Sequence, residues 1–233
     1  ADIIVQETLP LCWGTIRKQH CATPKFAVIG YGKLGGKELG YVSDLDLVYL
    51  YDDPDPDAEE NYARLGQRLN TWLSSQTSAG ILFETDLRLR PNGDSGLLAV
   101  SVDSFRDYQL DKAWVWEQQA LTRARFCAGD PAVGARFEEI RREILCRQRD
   151  LAKLKEEVVA MRRKMYDAHA SKSETLFDLK HDPGGIIDVE FIVQYLVLGH
   201  AHRHPELTGN LGNIALLRIA GELGLIDPAQ GKA

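Results

Sequence analysis

Two aspartates stand two residues apart in Ser43-Asp44-Leu45-Asp46-Leu47-Val48-Tyr49-Leu50, and a third opens the run Asp86-Leu87-Arg88-Leu89-Arg90. In an extended segment successive side chains alternate, so Asp44 and Asp46 share one face and Leu45 and Leu47 the other. Two carboxylates on one face of an otherwise apolar strand repel each other and resist desolvation unless a cation sits between them. Magnesium fits, being a hard ion that takes carboxylate and phosphate oxygens together. The bland alternative is a solvated strand end that carries charge for solubility, and Asp-x-Asp alone does not separate the two. Reading Ile81 to Arg90 as a strand puts Asp86, Arg88 and Arg90 on one face. That offers an acid suited to metal binding or proton abstraction, then two guanidinium groups suited to phosphate oxygens. Its alternative is an ordinary salt bridge.

The elements that must position these acids begin with Phe26 to Ile29, a short apolar run that breaks at Gly30, Gly32, Gly35 and Gly36. A buried strand entering a tight turn reads this way, and glycines let backbone N–H groups approach an anion closely. Gly30-Tyr31-Gly32-Lys33-Leu34-Gly35 also satisfies the dinucleotide pattern G-x-G-x-x-G. A parallel crossover needs roughly a dozen residues or more, however, and only Lys37 to Ser43 separate the last glycine from the next strand. The P-loop pattern fails because Glu38 follows Lys37. What survives is a glycine turn feeding a carboxylate strand.

Around this centre, Asp2 to Arg17 reads as an apolar helix interrupted near Pro10, and Lys18 to Lys25 as a polar connection. Asp52 to Asp57 holds two prolines among four acids and must be a loop. Tyr62, Leu65, Leu69, Trp72 and Leu73 recur at helical spacing between Ala58 and Ser75, one face for a sheet. Asn92 to Gly96 is a second glycine-bearing loop, with a short strand expected over Leu97 to Val100. Ser101, Asp103 and Ser104 offer helix starts, and Trp114 and Trp116 read as core rather than as a base-stacking platform. Asp130-Pro131 opens a helix with Phe137, Ile140, Ile144 and Leu145 on its apolar stripe.

From Arg147 to Leu151 the character changes to helix alone, which sets a domain boundary: residues 1–147, then 148–233. Leu151 to Ala168 is a charged helix, Ser171 to Glu174 a loop, and Asp182-Pro183-Gly184-Gly185 introduces an apolar helix over Ile186 to Leu198. Asp188 and Glu190 in its first turn complement the helix dipole. His200, His202 and His204 read as solvent-facing caps, and Leu211 to Leu225 as a last helix.

With 28 basic against 34 acidic residues the net charge is −6, which argues against general binding to nucleic acid backbones and leaves a local nucleotide site open. No apolar run approaches the roughly 18 residues of a membrane span. Cys12, Cys21, Cys127 and Cys146 lack paired short spacing, so neither zinc nor disulfides are expected, and reduced thiols fit a cytoplasmic protein. The chain opens at Ala1 without an initiator Met, as a processed protein or a piece of a longer one would.

A Gly-Gly turn, an Asp-x-Asp strand and a third Asp on a later strand resemble the active site of the nucleotidyltransferase superfamily that includes DNA polymerase beta. FAVIGYGKLGGKELGYVSDLDLVYLY, FETDLRLRPNGDSGLL, AWVWEQQALTRAR and DPGGIIDVEFIVQYLVL resemble, in order and across Phe26 to Leu198, the glutamine synthetase adenylyltransferase family. Val42, where that family commonly has a small polar residue, is a minor departure. The resemblance implies an α+β nucleotidyltransferase fold, a mixed sheet with flanking helices, followed by an all-α helical domain. It implies a bifunctional parent whose halves add AMP from ATP to a tyrosine of glutamine synthetase and remove it by phosphorolysis. GYGKLGGKELGYVSDLDLVYLYDD and GGIIDVEF, with Asp188, look more like the adding half. The removing half and a non-catalytic nucleotide sensor are the alternatives. The resemblance further implies two magnesium ions on Asp44, Asp46 and Asp86, with Asp86 helping to deprotonate the tyrosine. ATP would lie against Gly35, Gly36, Ser43, Arg88 and Arg90, with glutamine synthetase and a PII signalling protein as partners, and no membrane or nucleic acid.

Overall fold

The computed structural model describes residues 1–169 and 175–232, so the loop expected over Ser171 to Glu174 lies outside the described residues. The centre of the sheet is β1 (Phe26–Gly30), buried along its whole length, paired antiparallel with β2 (Leu45–Tyr51) from Phe26↔Tyr51 to Gly30↔Leu47. Between them runs one helical turn, α2 (Gly32–Gly35). This pairing needs no crossover helix, in keeping with the exclusion of a dinucleotide-binding βαβ unit.

On its other edge β2 is met by two short parallel strands placed end to end. β3 (Thr85–Asp86) lies beside Leu45 and Asp46, and β4 (Ala99–Ser101) beside Tyr49 to Tyr51. β5 (Arg125–Gly129) pairs antiparallel with the far side of β1, with a register shift at Val28 and Ile29. The sheet is therefore mixed, and with its helices the chain is α+β, as the sequence implied.

Two sequence expectations change here. The strand expected over Ile81 to Arg90 shrinks to Thr85 and Asp86, because the Asp86 carboxylate accepts the Arg88 backbone N–H at 2.8 Å and folds the chain into a turn. β5 was not foreseen, since Arg125-Phe-Cys-Ala-Gly shows neither alternation nor a long apolar run.

Helices cover the sheet because one face of each is apolar. α1 (Asp2–Gly14) buries Val5, Leu9, Cys12 and Trp13, and runs unbroken through Pro10. Proline costs a helix interior about 3 kcal/mol, and burial of those four side chains offsets it. α3 (Ala58–Ser74) buries Tyr62, Leu65, Leu69 and Leu73, whereas Trp72 stays 42% exposed. α4 (Val102–Asp111) starts at Ser101, whose hydroxyl accepts the Ser104 N–H at 3.2 Å, the cap read from the sequence. α6 spans Pro131–Leu145 and buries all four residues of its expected stripe.

The chain falls into two compact units, Ala1–Ala113 with Arg123–Arg141, and Trp114–Thr122 with Arg142–Ala233. The first holds the sheet. In the second, the described elements are helical: α5 (Val115–Leu121), the end of α6, α7 (Leu151–His169), α8 (Ile186–His200) and α9 (Asn213–Glu222), besides short 3-10 turns. Gln119 donates to Gln194 at 2.9 Å, and the half-buried Arg149 guanidinium donates to the carbonyls of Ile144, Leu145 and Leu198. Burial pushes the Arg149 pKa down to about 10. Trp114 is 71% exposed and Trp116 37%, so neither is the core residue expected.

Leu65→Ala should cost about 2–5 kcal/mol in urea unfolding, and Trp72→Ala less than about 1 kcal/mol. Equal losses would contradict this assignment of the two faces of α3.

Candidate active site

The parallel register Asp46↔Asp86 places two carboxylates opposite each other on neighbouring strands, and Asp44, two residues before Asp46, joins them on the same face. Donor oxygens of Asp44, Asp46 and Asp86 all lie within 4.8 Å of one another. Asp44 is exposed, while Asp46 and Asp86 are half-buried. The β2 and β3 backbones are locked at this point by Leu45 N–H to Glu84 O at 2.9 Å. A set of three carboxylates, one of them paired with a guanidinium, suits a hard divalent cation.

That guanidinium is Arg88. Its Nε lies 3.1 and 2.9 Å from the two Asp86 oxygens, its Nη2 also reaches Asp86, and its side chain is 73% exposed. Hydrogen bonding from Arg88 holds the Asp86 carboxyl below the usual carboxylate range. Arg90 is used differently. Its guanidinium donates to Leu87 O at 2.7 Å, Asp94 O at 3.1 Å and Gly96 O at 3.4 Å, closing the loop after β3. The turn at Asp86 ends the strand before Arg88 and Arg90, so the three do not share a strand face, although all three line the same cleft.

The glycine turn also departs from expectation. The N–H groups of Gly35 and Gly36 donate to Tyr31 O at 2.7 Å and Gly32 O at 3.0 Å, so these two amides are not the open anion cradle the sequence suggested. Close packing is what demands glycine here. A Cβ on Gly35 would fall 2.1 Å from the Arg123 carbonyl oxygen, and one on Gly36 2.1 Å from the Arg123 guanidinium. Gly32 has φ +51° and would place a Cβ 2.1 Å from Asp46 Oδ2, so the turn begins directly against that carboxylate. Tyr31 N–H donates to Asp46 O at 2.9 Å and ties the two together. Ser43 accepts the Gly40 N–H at 3.1 Å and shapes the loop before β2.

Sequence reasoning missed the two arginines of Thr122-Arg123-Ala124-Arg125 as supports. Arg123 donates to Gly32 O at 3.3 Å and pairs with Glu38 at 2.6 Å. Arg125 donates to Gly35 O at 3.1 Å and Leu34 O at 3.0 Å and pairs with Asp2. Together they add side-chain donors to the carbonyls of the turn, two of which, Gly32 O and Leu34 O, also accept backbone N–H groups. Asn70, Glu84 and Asp94 also line the cleft of about 480 Å³ beside the acids, with Asn70 accepting the Thr85 hydroxyl at 2.5 Å. Nothing in the spacing of Asn70, on a helix remote in sequence, announces this.

Residues 1–140 match the family described as GlnE, glutamate-ammonia ligase adenylyltransferase. The chain is similar to proteins named bifunctional glutamine synthetase adenylyltransferase/adenylyl-removing enzyme. The one from Aromatoleum aromaticum is 71% identical over 230 residues, covering 99% of this chain and 24% of that protein. Those of Nitrosomonas eutropha and Neisseria meningitidis serogroup A are 62% identical over 233 residues and 56% over 227, covering 100% and 97% of this chain and 25% of each. The chain thus spans about a quarter of the length of the curated relatives it matches.

Gly35→Ala should destabilise the chain by about 2 kcal/mol or more in urea unfolding, since the new methyl meets backbone oxygens. At Gly40 a Cβ would approach only the Ser43 hydroxyl, at 3.5 Å, and Gly40→Ala should stay within about 0.5 kcal/mol. A neutral Gly35→Ala would restore the open-cradle reading.

Proposed function

Because the chain belongs to the glutamate-ammonia ligase adenylyltransferase family, we propose that it transfers AMP from ATP to a tyrosine of glutamine synthetase. The observation that carries this reading is the clustering of Asp44, Asp46 and Asp86, whose donor oxygens lie within 4.8 Å of one another, at a cleft lined by Asp44 and Asp86. The names of its relatives hold both an adding and a removing activity. The glycine-turn and Gly-Gly-Ile-Ile-Asp-Val-Glu-Phe motifs favour the adding direction. On this reading the first unit is a nucleotidyltransferase domain of the DNA polymerase beta type and the second a helical domain. The protein works in the cytoplasm, with the second catalytic half and the PII signalling protein as partners of the full-length polypeptide.

Three carboxylates with a combined charge of −3 fit magnesium. Two such ions, when bound, would supply positive charge to the α-phosphate and the leaving pyrophosphate. In the transfer the tyrosine oxygen bonds to the α-phosphorus, the bond to the β-phosphate oxygen breaks, and the hydroxyl proton must go to a base. Asp86 is the base we assign. Arg88 now holds Asp86 ionised and weakly basic, so it must leave the carboxylate before Asp86 can take a proton. Its exposed, unbranched side chain can swing to a phosphate oxygen, and one movement then frees the base and neutralises the substrate. Arg123 and Arg125 keep the glycine turn pressed on Asp46, and Arg90 keeps the loop after β3 closed.

Incubation with purified glutamine synthetase, magnesium and α-labelled ATP should place label on the synthetase. Asp86→Asn should lower that transfer about 10²–10⁴-fold, as expected for loss of a general base. ADP formed only from adenylylated synthetase and phosphate would reverse the assigned direction. Label transfer undiminished in Asp86→Asn would remove Asp86 from the chemistry.

A further inference from the structure

A second cluster of donor atoms lies in the first unit, beyond the opposite end of β2 from the acids. His20 and Cys21 come from the connection between α1 and β1, and Asp53 from the loop after β2. His20 Nε2 is 3.1 Å from Asp53 Oδ2, and donor atoms of His20, Cys21 and Asp53 lie within 4.8 Å of one another. The His20 and Asp53 side chains are only 4% and 5% exposed. Around them, Tyr62 donates its hydroxyl to Asp53 Oδ2 at 2.9 Å, and the Asn61 amide stands 3.1 Å from His20 Nδ1.

We propose that His20 Nε2, Cys21 Sγ and an Asp53 carboxylate oxygen hold one zinc ion, with a water completing a tetrahedral set. An imidazole, a thiolate and a carboxylate are the donor types zinc takes, whereas the three aspartates of the other cluster are all hard oxygen donors. Charge supports the same choice. A dication with one thiolate and one carboxylate sums to zero where two of three ligands are withdrawn from water, and the Lys25 ammonium, 3.6 Å from Asp53 Oδ1, is half-exposed to solvent. The surroundings also fit. Turned about its amide, Asn61 presents an oxygen to His20 Nδ1–H, fixing the tautomer that leaves Nε2 free for metal, and the Tyr62 hydroxyl already orients Asp53. On binding, the Nε2–H···Oδ2 hydrogen bond gives way to two metal bonds. The Cys21 thiol loses its proton to solvent, so one proton is released per ion. The ion would clip the entry of β1 to the exit of β2. This site is independent of the AMP-transfer reading.

The test is cobalt titration of the chelator-washed chain in excess magnesium, with zinc retention measured by elemental analysis after gel filtration. One equivalent of zinc should be retained, and cobalt should give a thiolate charge-transfer band. Cys21→Ser and His20→Gln should each abolish that band, while Asn61→Leu should weaken binding about 10–100-fold. The metal-free urea midpoint of Cys21→Ser should match the parent, which separates loss of a ligand from loss of fold. Absence of the band at millimolar cobalt, its persistence in Cys21→Ser, or its loss when His200, His202 and His204 are replaced by alanine would overturn the proposal. The cluster would then be a hydrogen-bonded latch alone.

Discussion

Repulsion between carboxylates is the constraint on which the first unit turns. The pairing of β2 with β3 forces Asp46 and Asp86 side by side, their donor oxygens within 4.8 Å. At an effective dielectric near 20 that separation corresponds to roughly 3 kcal/mol of repulsion per pair of unit charges. A fold that keeps such an arrangement has to hold it rigidly, and the surrounding interactions do so. Leu45 and Leu47, fully buried on the opposite face of β2, fix which way the acids point. A slip of one residue would drive the acids into the core and the leucines into water.

The same constraint accounts for the glycine turn. Gly32 lets the chain pass within contact of the Asp46 carboxylate, and Gly35 and Gly36 let the next residues sink beneath Arg123. Two guanidinium groups then bind the carbonyls of the turn, one of them also reaching Asp2 at the start of α1. Elements distant in sequence are thereby tied to one short segment beside the acids. Arg88 partly relieves the charge at Asp86 through a contact made by an exposed side chain.

Much of this was legible in the sequence because its periodicity is local. Alternation in Asp44 to Leu50 gave the face of the acids, the run Phe26 to Ile29 gave β1, and the spacing of Tyr62, Leu65, Leu69 and Leu73 gave the inner face of α3. What stayed hidden depends on contacts across the chain. β5 has no pattern of its own and forms because β1 offers it an edge. The strand around Asp86 stops early because a side chain captures its own backbone, which alternation cannot report. Glycines needed for close packing look the same in sequence as glycines needed for anion binding, so Gly35 and Gly36 invited the wrong physical reason. His20, Cys21 and Asp53 escaped notice because their spacing matches no metal motif, although the fold brings Cys21 and Asp53 together across the 31 residues between them.

The central claim is that Asp44, Asp46 and Asp86 act as one divalent-cation site. It is tested most directly by manganese titration with a non-hydrolysable ATP analogue, following free manganese by electron paramagnetic resonance. The account predicts that replacing any one of the three aspartates by asparagine weakens manganese binding at least about tenfold, or 1.4 kcal/mol. If the triple asparagine variant bound manganese as tightly as the parent chain, the three acids would not be that site.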